Sequence, residues 1–358
     1  MIRPISHIAQ MVPYTLADLS VSTTSGLISL AQNESAFPPS PLAIAAARDA
    51  LASSQLYPDP DWQQLRTEIA QAHAVDAEHV LCGAGSMELI GCLIRCYAGI
   101  GDHVLSSEYA YAFFRTATLA AGARYDTAPE VGMTISVDSL LSCVHERTAI
   151  VCVANPANPT GTYVPLVELT RLREALRDDI LLIIDEAYGE FVDGPGMRNF
   201  DLVSRGNTVV LRTFSKAYGL AGLRIGWGLF PPEIAKETRK LLNPNNVSVA
   251  SQAAAVAALR DQSYVRDVCR KTIDCRNKFV EMLEHAGLDV PASHTNFVLI
   301  CFPDQTSAIQ ADHALRAEGI IMRGMAGYAL PHCLRATIGK AEDMDLVASV
   351  LNDCFRRD

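Results

Sequence analysis

The sequence predicts an α/β fold: a large domain with a mostly parallel sheet between helices, plus a smaller α+β domain. Three observations carry this expectation. Between residues 79 and 230, short apolar runs alternate with helix-length segments, the pattern of a sheet covered on both faces. After Leu242-Asn-Pro-Asn-Asn246 the pattern changes to long helices, 248–260 and 263–286, and then to strands near 296–301, 320–323 and 333–338. At 358 residues and 49% hydrophobic side chains, the chain is long enough for two domains. The expected divisions are an arm over 1–35 that belongs with the small domain, a large domain over 36–245, and the small C-terminal domain over 246–358.

Composition narrows the function classes. The formal net charge is -10 and no basic block stands out, so nucleic acid and anionic membrane are poor partners. The start lacks an apolar signal core and no apolar run is long enough to cross a bilayer, which points to a soluble cytoplasmic protein. The ten cysteines are scattered without a Cys-x-x-Cys, and the nine histidines are dispersed. Cys92 and Cys96, at i and i+4 in an apolar pattern, read as core, and no metal site is expected.

In chain order, residues 1–30 read as an arm with a short helix, with Tyr14 packed on the body of the fold. Asn33-Glu-Ser-Ala-Phe-Pro-Pro-Ser-Pro41 is a breaker-rich link, and Ser40-Pro41 opens a helix with a hydroxyl cap and proline at the first position. Tyr57-Pro-Asp-Pro60 is a turn before a helix over 61–73. His79-Val-Leu-Cys82 is a strand that enters Gly83-Ala-Gly-Ser-Met-Glu88. Small residues at a helix start leave free N–H groups at the positive dipole end, so Gly85 and Ser86 suit a phosphate.

A strand over 103–106 leads to Tyr109-Ala-Tyr-Ala-Phe-Phe114, aromatics that end a strand as core or as a stacking ring. The strand over 148–153 ends at Asn155-Pro-Ala-Asn-Pro-Thr-Gly161, where each Asn–Pro step demands extended backbone, and a helix over 165–177 follows. The strand over 180–184 ends at Asp185-Glu-Ala-Tyr188. A carboxylate at the end of a fully apolar strand needs a cation. The run Thr208-Val-Val-Leu-Arg212 enters Thr213-Phe-Ser-Lys-Ala-Tyr-Gly-Leu-Ala-Gly-Leu-Arg224. Here the Thr213 and Ser215 hydroxyls and Arg224 suit a phosphate, while the Lys216 amine can condense with an aldehyde. In the C-terminal part, Arg335 lies inside an apolar strand and needs an anion, and Arg323 is a second basic residue at a strand end.

Residues 213–227, with the Asn155–Gly161 loop, Asp185 and the Gly83–Glu88 turn in that order, resemble the fold-type I pyridoxal-phosphate (PLP) aminotransferases, and most of all the histidinol-phosphate aminotransferase group. The likeness runs from about residue 30 to 350. It implies a site at the carboxyl ends of the strands. Lys216 would hold PLP, take a proton from the substrate and return it at the cofactor. Asp185 would pair with the pyridine nitrogen, Asn158 and Tyr188 would bond the phenolate oxygen, and Tyr111 would stack on the ring, with Tyr109 or Phe113 within a register slip. Gly85, Ser86, Thr213, Ser215 and Arg224 would anchor the phosphate. The same likeness implies that Arg335 and Arg323 hold the phosphate end of the substrate and that Tyr14 lies near its side chain. It also implies a homodimer with shared active sites, in which Tyr57 reaches the neighbour's cofactor.

The expected reaction moves an amino group from a small amino donor, histidinol phosphate or a related aromatic compound, to a 2-oxo acid such as 2-oxoglutarate. Two alternatives share the cofactor residues: a PLP decarboxylase of the threonine-phosphate decarboxylase type, and a non-catalytic PLP-binding protein. This chain has Ser35-Ala36 where the family usually has Asn-Pro, and Met87 where it usually has Asp. Backbone binding of a phosphate survives the second change; a role for the missing Asp side chain does not.

Overall fold

A computed structural model describes residues 2–13, 26–192 and 199–355, and Tyr14 lies outside them. The strands, in chain order, are β1 (Ile28–Ser29), β2 (Val80–Gly83), β3 (His103–Ser107), β4 (Arg124–Ala128), β5 (Thr148–Ala154), β6 (Leu181–Asp185), β7 (Thr208–Thr213), β8 (Gly226–Leu229), β9 (Phe297–Cys301), β10 (Ile320–Ile321), β11 (Arg323–Gly324) and β12 (Cys333–Thr337). Seven of them form one sheet in the order β2-β8-β7-β6-β5-β3-β4. Every neighbouring pair is parallel except the two made by β8. β6 and β7 are buried along their whole length and β5 at every residue but Ala149, as apolar strands covered on both faces must be. Helices Ser86–Tyr97, Ala112–Ala120 and Leu166–Ala175 bury Leu89, Phe114 and Leu169 in the same core.

A second core gathers Leu30, Val298, Ile300, Ile320, Leu334 and Val347 around β9, β12 and helix Ala341–Phe355. The N-terminal strand β1 joins it by pairing in parallel with β10. Helix Gln262–His285 spans both cores, since Val265 and Cys269 pack in the first, and Phe279 and Leu283 in the second.

Three local readings need correction. The strand expected over 320–323 is two strands, because the chain leaves β1 after Ile321 and pairs with β12 from Arg323. The aromatics Tyr109 to Phe114 do not end a strand: β3 stops at Ser107, and Tyr111 caps helix Ala112–Ala120. β8 is an element that sequence pattern does not reveal, since Gly226 and Gly228 break its apolar run. A Cβ on Gly226 would lie 2.4 Å from the Ser86 nitrogen, so only glycine lets this strand pass under the helix start.

Among the described residues, one group brings three metal-ligand atoms together, His103, Asp126 and His145. The imidazoles meet one carboxylate oxygen, His103 Nδ1 at 2.7 Å and His145 Nε2 at 3.0 Å. The Arg147 N–H donates to His145 Nδ1, which leaves that ring's proton on Nε2, pointing at Asp126. The group therefore reads as a hydrogen-bonded clamp at the amino ends of β3 and β5. No described helix is long and apolar enough to cross a membrane.

Candidate active site

A cavity of about 480 Å³ opens at the carboxyl ends of β5, β6 and β7. Ala154, Asp185 and Thr213, the last residues of those strands, line it from below, and Ser86, at the start of its helix, lines one side. Arg323 on β11, Arg335 on β12 and Tyr328 from the turn between those strands reach it from the other side, and residues 31–34 close it from the N-terminal segment. Parallel strands place their carboxyl ends together, so residues far apart in sequence converge there.

Asp185 and Thr213 point to the cavity because of strand alternation. Asp185 stands opposite Leu211, so it shares a face with Thr213, while Glu186 and Arg212 take the other face. There Glu186 binds Arg212 at 2.7 Å, and Glu190 binds the same guanidinium at 3.0 Å. This buried ion pair explains the second carboxylate of the Asp185-Glu186 step. Sequence reading assigned it nothing, because its partner lies 26 residues away on the neighbouring strand.

Asp185 is 4% exposed, and its Oδ1 has no hydrogen-bond partner. Burial pushes its pKa up to about 7, against the pull of the Ala187 N–H and the Lys216 ammonium. Lys216 Nζ donates to the main-chain oxygens of Asn33, at 2.9 Å, and Gln32, at 3.4 Å. Burial, with Arg335 and Arg224 nearby, lowers its pKa to about 8. The Tyr188 ring lies 5.7 Å from Nζ, and burial holds the Tyr188 phenol protonated well above its ordinary range.

Arg224, Ser215 and Thr213 form one cluster. Thr213 Oγ1 donates to Ser215 Oγ at 2.9 Å, and Arg224 reaches the same hydroxyl at 3.5 Å. The turn before helix Ser86–Tyr97 meets them. Gly85 has φ +82°, and a Cβ there would lie 2.6 Å from the Arg224 guanidinium. A guanidinium, two hydroxyls and the first N–H groups of a helix thus surround one spot, a donor set for a dianion.

Arg335 donates to Asn158 Oδ1 at 2.5 Å and to the Ala31 oxygen at 3.2 Å, with Phe297 beneath its guanidinium at 5.2 Å. Arg323 is directly opposite Arg335 on β11, so the two cations share one end of the cavity. Tyr111 lines the cavity, whereas Tyr109 and Phe113 pack against hydrophobic clusters. Gly85 stands behind Ser86 and does not itself line the cavity. Tyr57 is 87% exposed and lies outside the cavity.

Sequence reading missed Asn33 as a site residue. Its φ is +55° and it is 2% exposed. Its amide donates to the Tyr188 hydroxyl at 2.8 Å, its N–H donates to Thr337 Oγ1 at 2.9 Å, and its carbonyl accepts from Lys216. The one signal was its place in a breaker-rich link, since Asn tolerates the left-handed region better than most residues.

The family model for aminotransferase class I and II matches residues 25–351. The histidinol-phosphate aminotransferase of Paramagnetospirillum magneticum is 42% identical over 355 residues, covering 98% of both chains. A crystal structure of histidinol-phosphate aminotransferase from Sinorhizobium meliloti with pyridoxal-5'-phosphate superposes with a TM-score of 0.91 at 31% identity, covering 99% of this chain and 98% of that one. An aspartate aminotransferase double mutant from Thermus thermophilus shares the fold at a TM-score of 0.84 and 21% identity, covering 99% of this chain and all of that one. A cavity built on a lysine, a buried carboxylate and an anion cradle, in a chain matched over nearly its whole length, makes this protein a member of the class I and II aminotransferases.

Proposed function

We propose that this aminotransferase uses PLP and moves an amino group from histidinol phosphate, or a related aromatic amino compound, to a 2-oxo acid such as 2-oxoglutarate. The observation that carries the cofactor reading is the buried Asp185 oxygen without a partner, one cavity away from a lysine of lowered pKa. Such a carboxylate needs a cation, and a protonated pyridine nitrogen is one. The dianion cradle of Gly85, Ser86, Thr213, Ser215 and Arg224 fits the cofactor phosphate. Tyr111 at the cavity wall fits the ring face, and Asn158 and Tyr188 are donors for its phenolate oxygen.

PLP, when bound, supplies an aldehyde carbon for the amino group and a cationic ring that accepts the electron pair from the substrate carbon. The protein's part is to hold and to move protons. Lys216 Nζ, neutral at lower pH than an ordinary lysine, takes the proton from the carbon that bears the substrate nitrogen. Asp185 keeps a positive charge on the ring side of the cavity. Asn33 aims Nζ through its carbonyl and Tyr188 through its amide. Arg335 and Arg323 offer two guanidinium groups to the far end of the donor, and a phosphate is the anion that two such groups suit.

The donor is tested by a half-reaction screen that follows the absorbance of bound PLP as it becomes pyridoxamine phosphate. Histidinol phosphate should convert the cofactor fastest. A preference for unphosphorylated aromatic amino acids would remove the phosphate reading of Arg335 and Arg323. Release of carbon dioxide without need for a 2-oxo acid would make the enzyme a decarboxylase.

The same proposal includes a homodimer with shared sites. Leu42, Ile44, Leu51, Leu56 and Tyr57 are all at least half exposed within one short stretch, an apolar surface that a second copy would cover. Tyr57 then reaches the neighbour's phosphate cradle. Mixing a Lys216→Ala chain with a Tyr57→Ala chain leaves one site with both defects and one with neither, so activity should partly return. A mixture as inactive as its parents, after proven subunit exchange and with an impaired Tyr57→Ala parent, would exclude the shared site.

A further inference from the structure

β9 and β12 are antiparallel neighbours, and Cys301 stands directly opposite Cys333. The backbone donors at this pair turn elsewhere. Cys301 N–H donates to Asp289, Cys333 N–H to Leu330, and the Cys333 carbonyl accepts from Met325. Cys301 and Cys333 are thus a pair with no mutual hydrogen bonds, the position at which antiparallel strands come closest, with Cα atoms about 4.5 Å apart. That spacing falls within what a disulfide spans, roughly 4.4–6.8 Å. The two sulfur atoms already lie 3.5 Å apart. The Cys92 sulfur meets Arg95 and the Leu241 carbonyl, and the Cys275 thiol donates to the Gly339 carbonyl, so neither is turned to another cysteine.

The surroundings tie this pair to the cavity. Cys301 and Cys333 pack with Leu299, Met325 and Leu330 in a small cluster, against which Tyr328 rests. Tyr328 lines the cavity beside Arg323 and Arg335. Arg335 follows Cys333 by two positions on the same strand, so both project from the same face of β12.

We propose that Cys301 and Cys333 are an oxidation site, a cross-strand dithiol that a peroxide converts to a disulfide and that weakens capture of the donor at Arg335 and Arg323. Cys301, 8% exposed, meets the peroxide before Cys333, which is 1% exposed. Its sulfur takes one oxygen as the O–O bond breaks, giving a sulfenic acid and one water. The Cys333 sulfur then displaces the second oxygen as water. In sum two S–H bonds and one O–O bond break, one S–S and two O–H bonds form, and the thiols lose two electrons to the peroxide. Closing the sulfur atoms from 3.5 Å to bonding distance turns both side chains beneath Tyr328 and, because disulfides favour a Cα spacing of roughly 5.5–6 Å, pushes β12 away from β9 next to Arg335. Exchange with a dithiol reverses the step.

The kinetic half of this proposal rests on the donor-binding reading of the two arginines; the chemical half does not. The test treats the PLP-loaded enzyme, in a Cys354→Ser background that removes the exposed thiol, with graded hydrogen peroxide. Peptide mapping without reductant should find a Cys301–Cys333 link as the first product. The KM for the phosphorylated donor should rise several-fold with little change in kcat, and dithiothreitol should restore it. Cys333→Ser should abolish both the link and the KM change. Oxidation that leaves 301 and 333 as free thiols while other cysteines react overturns the site. A complete link with an unchanged KM overturns its coupling to the cavity, and a donor screen that shows no phosphate preference leaves the mapping result to stand by itself.

Discussion

Replacing Lys216 by alanine should lower turnover by about 10²- to 10⁴-fold from lost proton transfer alone. Borohydride reduction of the loaded enzyme followed by peptide mapping should place the label on Lys216. The prediction follows from the setting of one amine. Lys216 sits in the turn just past the buried strand β7, within reach of Asn33 and Gln32 carbonyls and close to Arg335 and Arg224. Carbonyl oxygens hold the ammonium in place, while burial and the two guanidinium groups disfavour its charge. The sign is that of a depressed lysine: below about pH 8 the amine is protonated and inert, and above it the amine is free. Reductive methylation of Lys216 in the PLP-free protein should therefore reach half its limiting rate near pH 8. A midpoint in the ordinary lysine range, or label on another lysine, would remove Lys216 from the centre of the site.

Asp185→Ala should lower turnover by roughly 10²- to 10⁴-fold, the kinetic equivalent of the roughly 3–5 kcal/mol lost when one member of a buried charge pair is removed. PLP should still be retained through Lys216 and the phosphate cradle. Near-normal activity in this variant would mean that the ring lies elsewhere. A stability readout separates this role from simple packing. The Asp185 carboxyl has its folded pKa raised to about 7, above its value of 3.8 in the open chain. Its ionisation therefore opposes folding in the PLP-free protein, a cost that is absent at acid pH and grows as pH rises from about 4 to 7. PLP-free Asp185→Asn should melt higher than the PLP-free parent at pH 8, and the gap should close on acidification. A constant gap across that range would show that the carboxyl is not under this strain.

Much of the large sheet was legible in the sequence because its strands are buried on both faces. Leu181–Asp185 and Thr208–Thr213 read as apolar runs with a functional residue at the end, and they are such strands. Asp185 and Thr213 on the cavity floor were legible for the same reason, as each is a polar residue placed where an apolar strand stops. β8 was not, since its glycines are explained only by the helix start that crosses it. The break between β10 and β11 was hidden too, because both halves are apolar or basic and only their partners differ.

What the sequence by itself determined was the set of chemical groups: one lysine flanked by hydroxyls, a carboxylate after a buried strand, a glycine-rich helix start, and two arginines in apolar settings. Local pattern reaches that far because it reports burial and charge residue by residue. The tertiary structure alone decided which groups meet. Asn33 touches both Lys216 and Tyr188, which follow it by 183 and 155 residues, and Arg335 touches Asn158 across 177. Glu186 faces Arg212 rather than the cavity, and Cys301 faces Cys333, because strand pairing sets who stands opposite whom. Pairing is a property of register between distant segments, and no periodicity within one segment encodes it.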